Sequence, residues 1–202
     1  KVAAGSASDA LIEYVDVVPT FLAAAGISSP KNLDGRSFVP VLTGAAIFHK
    51  SHVFGLQTTR GIINGSDSFG IRSVRDERFR YIRNLTPDVL FQNAATKDPT
   101  FVTWQRMAAE GEAQAKRLVH DYQHRTAEEL YDCDADPWNQ TNLASHPEHA
   151  ERLEMLRTQL KAWMKEQGDE GQATEMKALE RMPRESKAEP KKKAGKRKGA
   201  NE

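Results

Sequence analysis

Apolar and polar side chains alternate in the middle of the chain and recur at three- and four-residue intervals on either side of it, so strands flanked by helices are expected. Alternation predicts strands over 52–57, 70–76 and 78–85, the last setting Phe79, Tyr81 and Ile82 against Arg80 and Arg83. The latter two lie close enough for a hairpin. Residues 129–132 read as a short fourth strand, followed by a turn over 134–138 whose backbone Pro137 fixes. Ahead of the strands, Asp16 precedes Val17-Val18-Pro19-Thr20-Phe21-Leu22 and the run closes at Gly26, which predicts a helix capped by Asp16 with proline in its first turn. Val18, Leu22 and Ala25 give that helix one apolar face. A tight turn over 33–37 follows, then Phe38, Val39, Val41 and Leu42 return apolar surface, so this segment is expected to pack on something large.

Beyond the strands, Asp98-Pro99 opens a long helix in which Phe101, Trp104, Ala108, Ala115, Leu118 and Tyr122 form one buried stripe, broken only by Gly111 and ending near His124. A last helix is predicted over 147–167. Its stripe is Leu153, Leu156, Leu160 and Trp163, with Glu148 and Glu151 at the positive end, Lys161 and Lys165 at the negative end, and Gly168 as the stop. Between the first two strands lie residues 58–69, with Gly61, Asn64, Gly65, Ser66, Asp67 and Ser68. These types tolerate turns and present hydrogen-bonding side chains, so a working loop is expected there.

Composition narrows the class. The 202 residues, 39% hydrophobic and 28% charged, exclude collagen, a disulfide scaffold and bulk disorder, and their number suits one domain or a domain plus a piece of another. No apolar run approaches the ~18 to 20 residues of a membrane span, and residues 1–26 lack the succession that makes a signal peptide. The formal charge of +1 hides an asymmetry, because residues 187–202 hold seven Lys or Arg against two Glu and leave the remainder mildly acidic. From Gly168 onward, Glu, Lys, Ala, Gly, Pro and Gln cannot bury enough apolar area to offset ordering entropy, so 168–202 is expected to be a disordered basic tail. Its lysine runs would attract polyanions such as acidic lipid or sulfated glycan through summed charge, but they carry no interleaved aromatics for base stacking, so the favoured reading is a solubilising terminus and no nucleic-acid partner is expected.

Residue chemistry supplies no complete catalytic set. Cys133 is the single cysteine, which forbids an internal disulfide, and its neighbours Asp132 and Asp134 repel an anion where a nucleophile would need a base. His120 and His124 stand four apart on the predicted long helix but lack the adjacent glutamate of a zinc-protease helix. His49 with His52, and His146 with His149, have no third ligand at a supporting spacing. A phosphate cradle, a Gly-x-Ser-x-Gly elbow and a Cys-x-x-Cys pair are all missing. On these grounds alone the chain is an α+β segment of unassigned activity.

Two groups of motifs change that. Tyr14-Val15-Asp16-Val17-Val18-Pro19-Thr20-Phe21-Leu22-Ala23-Ala24-Ala25-Gly26-Ile27 with Leu33-Asp34-Gly35-Arg36-Ser37, and Glu129-Leu130-Tyr131-Asp132 through Asp136-Pro137 to Asn142-Leu143-Ala144, resemble in order and spacing the C-terminal portion of the type I sulfatases. The strings Val53-Phe54-Gly55-Leu56-Gln57, Ile71-Arg72-Ser73-Val74-Arg75 and Phe79-Arg80-Tyr81-Ile82-Arg83-Asn84-Leu85 more narrowly resemble its sulfamidase branch, also called heparan N-sulfatase or N-sulfoglucosamine sulfohydrolase. The resemblance covers about residues 3 to 167.

It implies an alkaline-phosphatase-like α/β architecture, of which this chain would hold the end of the large domain (1–48) and a C-terminal subdomain (49–167) of antiparallel four-stranded sheet with packed helices, ahead of the basic tail (168–202). The complete enzyme would hydrolyse sulfate esters or sulfamates of sulfated glycans through a formylglycine and a calcium ion. Cys133 does not match the family's Cys/Ser-x-Pro-x-Arg motif, since Ala135 and Pro137 stand at +2 and +4, so this chain alone is expected to be inactive and to need the N-terminal sulfatase domain as partner. Family habit adds a homodimer and a periplasmic, secreted or lysosomal setting. What would remain in this chain is substrate recognition, by Thr59, Arg60, Asn64 and Asp67 in the loop between two strands, whose donors suit sulfate and hydroxyl groups; the other reading of Arg60 and Asp67 is a plain surface ion pair. The alternative is a non-catalytic glycan-binding or interaction module derived from a sulfatase.

Overall fold

The computed structural model describes residues 1–62 and 64–181. Four strands, β1 (Val53–Gln57), β2 (Ile71–Arg75), β3 (Phe79–Asn84) and β4 (Glu128–Asp132), form one antiparallel sheet in the order β1-β2-β3-β4. Register places Val74 opposite Tyr81 and Tyr81 opposite Leu130, so one apolar row crosses three strands on a single face. The helix α5 (Ala150–Glu166) lies on that face, inserting Leu153, Leu156, Leu160 and Met164 between Val74, Phe79, Tyr81 and Leu130. This is the core. At its margin Phe54 and Trp163 stack with ring centroids 5.0 Å apart.

Side chains or loop backbone occupy part of each edge of the sheet. On the β4 side, Asn142 imitates a strand: its Oδ1 accepts from Leu130 N at 2.9 Å and its Nδ2 donates to Glu128 O at 3.1 Å. Leu143 N then donates to Leu130 O, and Asp136 N to Asp132 O, both at 2.8 Å. On the β1 side Glu13 Oε1 accepts from Phe54 N at 2.8 Å.

The N-terminal segment is organised around Asp16, a fully buried residue. Helix α1 (Val17–Ala24) starts directly after it, but the carboxylate does not cap that helix as its position suggests. Instead it accepts from Glu13 N and Arg36 N at 2.9 Å each and from Lys50 Nζ at 2.8 Å. His49 Nε2 lies 3.3 Å from the same carboxylate without hydrogen-bond geometry. Burial draws this carboxyl upward, yet the Lys50 hydrogen bond and the two backbone N–H groups outweigh it and hold it below the ordinary carboxylate range. A competing use explains the missing cap: three chain segments converge on the side chain, and none of them is the first turn of α1. Gly35 passes so close that a Cβ there would sit 1.9 Å from Val15 O. Thr20 adds a second tie, accepting from Phe38 N at 3.0 Å ahead of the single-turn helix α2 (Val39–Leu42).

Two expectations need correction. The long helix is two, α3 (Pro99–Ala109) and α4 (Ala113–Gln123), folded back on each other so that Phe101 and Tyr122 bring their rings to 5.1 Å. Gly111, at φ +105°, supplies the reversal that other residues resist. The tail expected from Gly168 does not begin there, because Asp169 and Glu175 are buried against Arg72 and a short helix, α6 (Gln172–Met176), follows. The acids of this segment pair with Arg72, Asp169 N donates to Met164 O at 2.7 Å, and Gly171 lies against Leu85 and Met164. The lysine-rich runs over 191–198 lie outside the described residues.

The apolar surface of the first 48 residues is largely uncovered. Tyr14, Phe21 and Ile47 are 96%, 71% and 92% exposed, and Val18 and Phe48 are exposed beside them. Among the described residues no helix is long and apolar enough to cross a membrane.

Candidate functional site

Gln57 pairs with Ile71 at the end of the β1–β2 ladder, so residues 58–69 leave and re-enter the sheet at the same point. Thr59 closes the base of this loop: its hydroxyl donates to Phe69 O at 2.9 Å and accepts from Phe69 N at 2.8 Å. Phe69 is fully buried, edge-on to Phe91 with centroids 5.0 Å apart. The chain then turns twice, Ile62 N donating to Thr59 O and Gly65 N to Ile62 O, with Asn64 in the left-handed region at φ +59°. Ser66 locks the returning limb. It accepts from Gln92 N at 2.7 Å and donates to Leu90 O.

The four groups singled out from sequence separate on this scaffold. Thr59 is only 2% exposed and both its hydrogen-bonding directions are used internally, so it pins the loop and is not placed to reach a ligand. Asn64 is exposed at the turn. Arg60 and Asp67 come together from opposite limbs, with Arg60 Nη1 3.4 Å from Asp67 Oδ1; the Asp67 side chain is 92% exposed and that of Arg60 22%.

A second layer supports the loop from beneath. Glu175 Oε1 accepts from the Thr58 hydroxyl and, at 3.2 Å, from Thr59 N, while Oε2 lies 3.6 Å from Arg72 Nη1. Arg72 is buried and meets Asp169 through Nε at 2.5 Å. Gln172 Nε2 reaches Ser68 O at 3.4 Å and Met176 Sδ stands 4.0 Å from Arg60 Nη1. Sequence reading missed Arg72, Asp169, Gln172, Glu175 and Met176 as supports of the loop. Asp169 and Glu175 sit about a hundred positions beyond Arg72 with no apolar period around them, and only a lone arginine on the core-facing side of β2 hinted at a buried acid.

The other candidates gain nothing in three dimensions. His120 and His124 stack at 4.5 Å on the exposed end of α4, and His146 and His149 stand 6.4 Å apart. Among the described residues no group of three or more His, Cys, Asp or Glu could hold a metal ion. Cys133 is half-buried, its Sγ 3.9 Å from Asn139 Oδ1. These residues do not fit a calcium site or a formylglycine precursor, so that chemistry has no ligands among them.

Residues 1–103 match the family described as N-sulphoglucosamine sulphohydrolase, C-terminal. An ulvan-active sulfatase of Formosa agariphila is 36% identical over 165 residues, which cover 82% of this chain and 31% of that protein. N-sulphoglucosamine sulphohydrolase of Homo sapiens is 33% identical over 178 residues, covering 82% of this chain and 34% of that protein. A solved structure in complex with its substrate D-glucosamine-2-N,6-O-disulfate superposes with a TM-score of 0.56 at 20% identity, over 85% of this chain and 27% of that one, a likeness of fold. The chain spans about a third of the length of the curated relatives it matches.

Proposed function

This chain belongs to the family of the C-terminal part of N-sulphoglucosamine sulphohydrolase, and from that premise we propose that the complete protein hydrolyses a sulfate ester or sulfamate of a sulfated sugar, with residues 58–69 as one wall of its substrate pocket. The four-stranded antiparallel sheet with its helices is the C-terminal part of an alkaline-phosphatase-like sulfatase. One observation carries the role of the loop. Its ends are fixed by buried contacts, while Asn64 and Asp67 are exposed on its outer side and the mostly covered Arg60 guanidinium reaches out to Asp67.

The chemistry follows from those groups. A guanidinium offers parallel N–H donors that match two oxygens of a sulfate, and a carboxylate accepts from a sugar hydroxyl. The Arg60–Asp67 contact is long and its acid is exposed, and such pairs are worth ~0 to 1 kcal/mol, so Arg60 exchanges Asp67 for a sulfate oxygen at little cost. Relatives that act on sulfated sugars support this substrate class: their names include N-sulphoglucosamine and ulvan.

The exposed apolar side chains of residues 14–48 have a place in the same reading. They meet the part of the complete protein that corresponds to the remaining two thirds of the relatives' length, with 1–48 closing the large domain and the smaller subdomain running from 49 past α6.

The deciding experiment measures sulfate release from N-sulfoglucosamine and from O-sulfated sugars by the full-length gene product and its Arg60→Ala variant. Release that weakens in the variant through a roughly tenfold rise in KM supports the loop assignment. Unchanged kinetics across all the sulfated substrates would retire it.

A further inference from the structure

Segment 169–176 lies beyond the part of the chain that the family match covers, and it is the only described segment after α5 with buried acidic side chains. Buried carboxylates are expensive to keep unless they are paired, so the partners of each acid show what it is for. Asp169 answers Arg72. It takes Nε at 2.5 Å and Nη2 at 3.5 Å, and its Oδ1 also accepts from Gly171 N at 2.9 Å. Glu175 is different. Arg72 already has Asp169, and its Nη1 donates to Ile71 O at 3.1 Å, so the 3.6 Å approach of Glu175 is the looser of its two acidic contacts. The closer partners of Glu175 are the Thr58 hydroxyl and Thr59 N, on the two residues that lead into Arg60.

The rest of α6 repeats the pattern. Met176, next to Glu175, sets its sulfur behind the Arg60 guanidinium, and Gln172 reaches Ser68 on the returning limb. Gly70, where the loop rejoins the sheet, passes so near that a Cβ would stand 2.9 Å from Glu175 Oε2. A charge-assisted hydrogen bond to the backbone just ahead of a flexible side chain removes freedom from the base of that side chain, which is how a supporting group sharpens a binding residue it does not replace.

We propose that Glu175 is the positioning residue of the sulfated-sugar loop: through Thr58 and Thr59 it fixes the backbone ahead of Arg60 and so aims the guanidinium at an anionic oxygen of the substrate. The inference rests on the reading of residues 58–69 as a pocket wall. Glu175 is buried and touches no substrate itself.

The test uses the complete protein and the variants Arg60→Ala, Glu175→Ala, Glu175→Gln and the double variant Arg60→Ala/Glu175→Ala, with KM, kcat and melting temperature measured on N-sulfoglucosamine and 6-O-sulfated glucosamine. Glu175→Ala is expected to raise KM about tenfold while kcat stays within about twofold. Glu175→Gln, whose amide oxygen still accepts from Thr58 and Thr59, should recover KM to within about threefold of the parent. In the double variant KM should match Arg60→Ala alone within about twofold, because a residue acting through Arg60 has nothing left to act on. A merely structural role would lower the melting temperature and add its kinetic effect in full to that of Arg60→Ala, which overturns the proposal. If Arg60→Ala raises KM but Glu175→Ala does not, positioning fails while the loop reading stands; if Arg60→Ala itself changes nothing, both fall. Should Glu175→Ala not fold, Thr58→Val removes one donor and leaves the Arg72 pairs intact. A threefold rise in KM is then expected, and no rise refutes the idea.

Discussion

Replacing Asp16 by alanine tests the bond network that gives the first recognisable motif its shape. The carboxylate serves Glu13 N, Arg36 N and Lys50 Nζ, so Asp16→Ala strands two backbone donors and leaves the Lys50 ammonium with the Glu13 carboxylate alone. Each stranded donor costs about 1 to 3 kcal/mol, with the lower end applying because both amides are only partly buried, and loss of the charge-assisted bond to Lys50 adds about 1.5 to 3 kcal/mol. The expected local destabilisation is therefore about 3 to 5 kcal/mol, or roughly a hundred- to several-thousand-fold in the opening equilibrium. Native-state hydrogen exchange at the amide of Arg36 reads this directly, and Phe38 N, held by Thr20 through the Asp16 main-chain O that the substitution keeps, reports on the segment around it. Asp16→Asn keeps one oxygen acceptor and should fall between the parent and the alanine variant. In a double-mutant cycle with Lys50→Met the coupling should come to about 1.5 to 3 kcal/mol. Exchange at Arg36 accelerated less than about fivefold in Asp16→Ala would show that these hydrogen bonds do not hold the segment, and the account of the motif would be wrong.

Three other outcomes are expected. Leu156→Ala removes a buried side chain between the α5 stripe and the sheet and should destabilise the chain by about 2 to 5 kcal/mol in urea unfolding, whereas Met155→Ala one residue earlier, on the exposed side, should stay within about 0.5 kcal/mol. The hydrogen bond from Arg78 outweighs burial and pulls the Asp132 carboxyl down to about 2 from an ordinary 3.8; stability from this pair is thus complete above about pH 4 and drains away as the pH falls toward 2, a slope that Asp132→Asn should flatten in acid titrations followed by circular dichroism. Phe21→Ser with Ile47→Ser should raise the solubility limit of this chain and lower the melting temperature of the complete protein, opposite signs that only a covered face in the larger protein produces; equal signs would argue against the contact.

The strands and α5 were legible because each buries a single face: 71–75 and 79–84 carry the period of two, and Leu153, Leu156 and Leu160 the period of a helix. The break at Gly111 was not, since one glycine inside a helical pattern costs only ~1 kcal/mol and sequence cannot say whether Phe101 will meet Tyr122 across a turn. Asp16 looked like a cap because caps and long-range acceptors use the same residue type, and only the return of residues 36 and 50 decides between them. Residues 169–176 were misread for a related reason. Hydrophobicity measures what a segment can bury by itself, and this one is held by Arg72, a partner from another part of the chain. In the loop, residue types pointed to a ligand-facing role for all four candidates, but a threonine hydroxyl serves a turn as readily as a sugar, and Thr59 serves the turn.

Asn142 and its neighbours occupy most of what the fourth strand would offer a newcomer. Successive outward carbonyls of Glu128, Leu130 and Asp132 are already engaged, as is the outward amide of Leu130. At the opposite border Glu13 engages Phe54 alone, and Leu56, two residues on, faces outward with its side chain in solvent. Growth of this sheet by recruitment of a further strand, whether from a second molecule or in a misassembled polymer, is thereby steered to the Leu56 flank, and a proline or lysine placed there would oppose it.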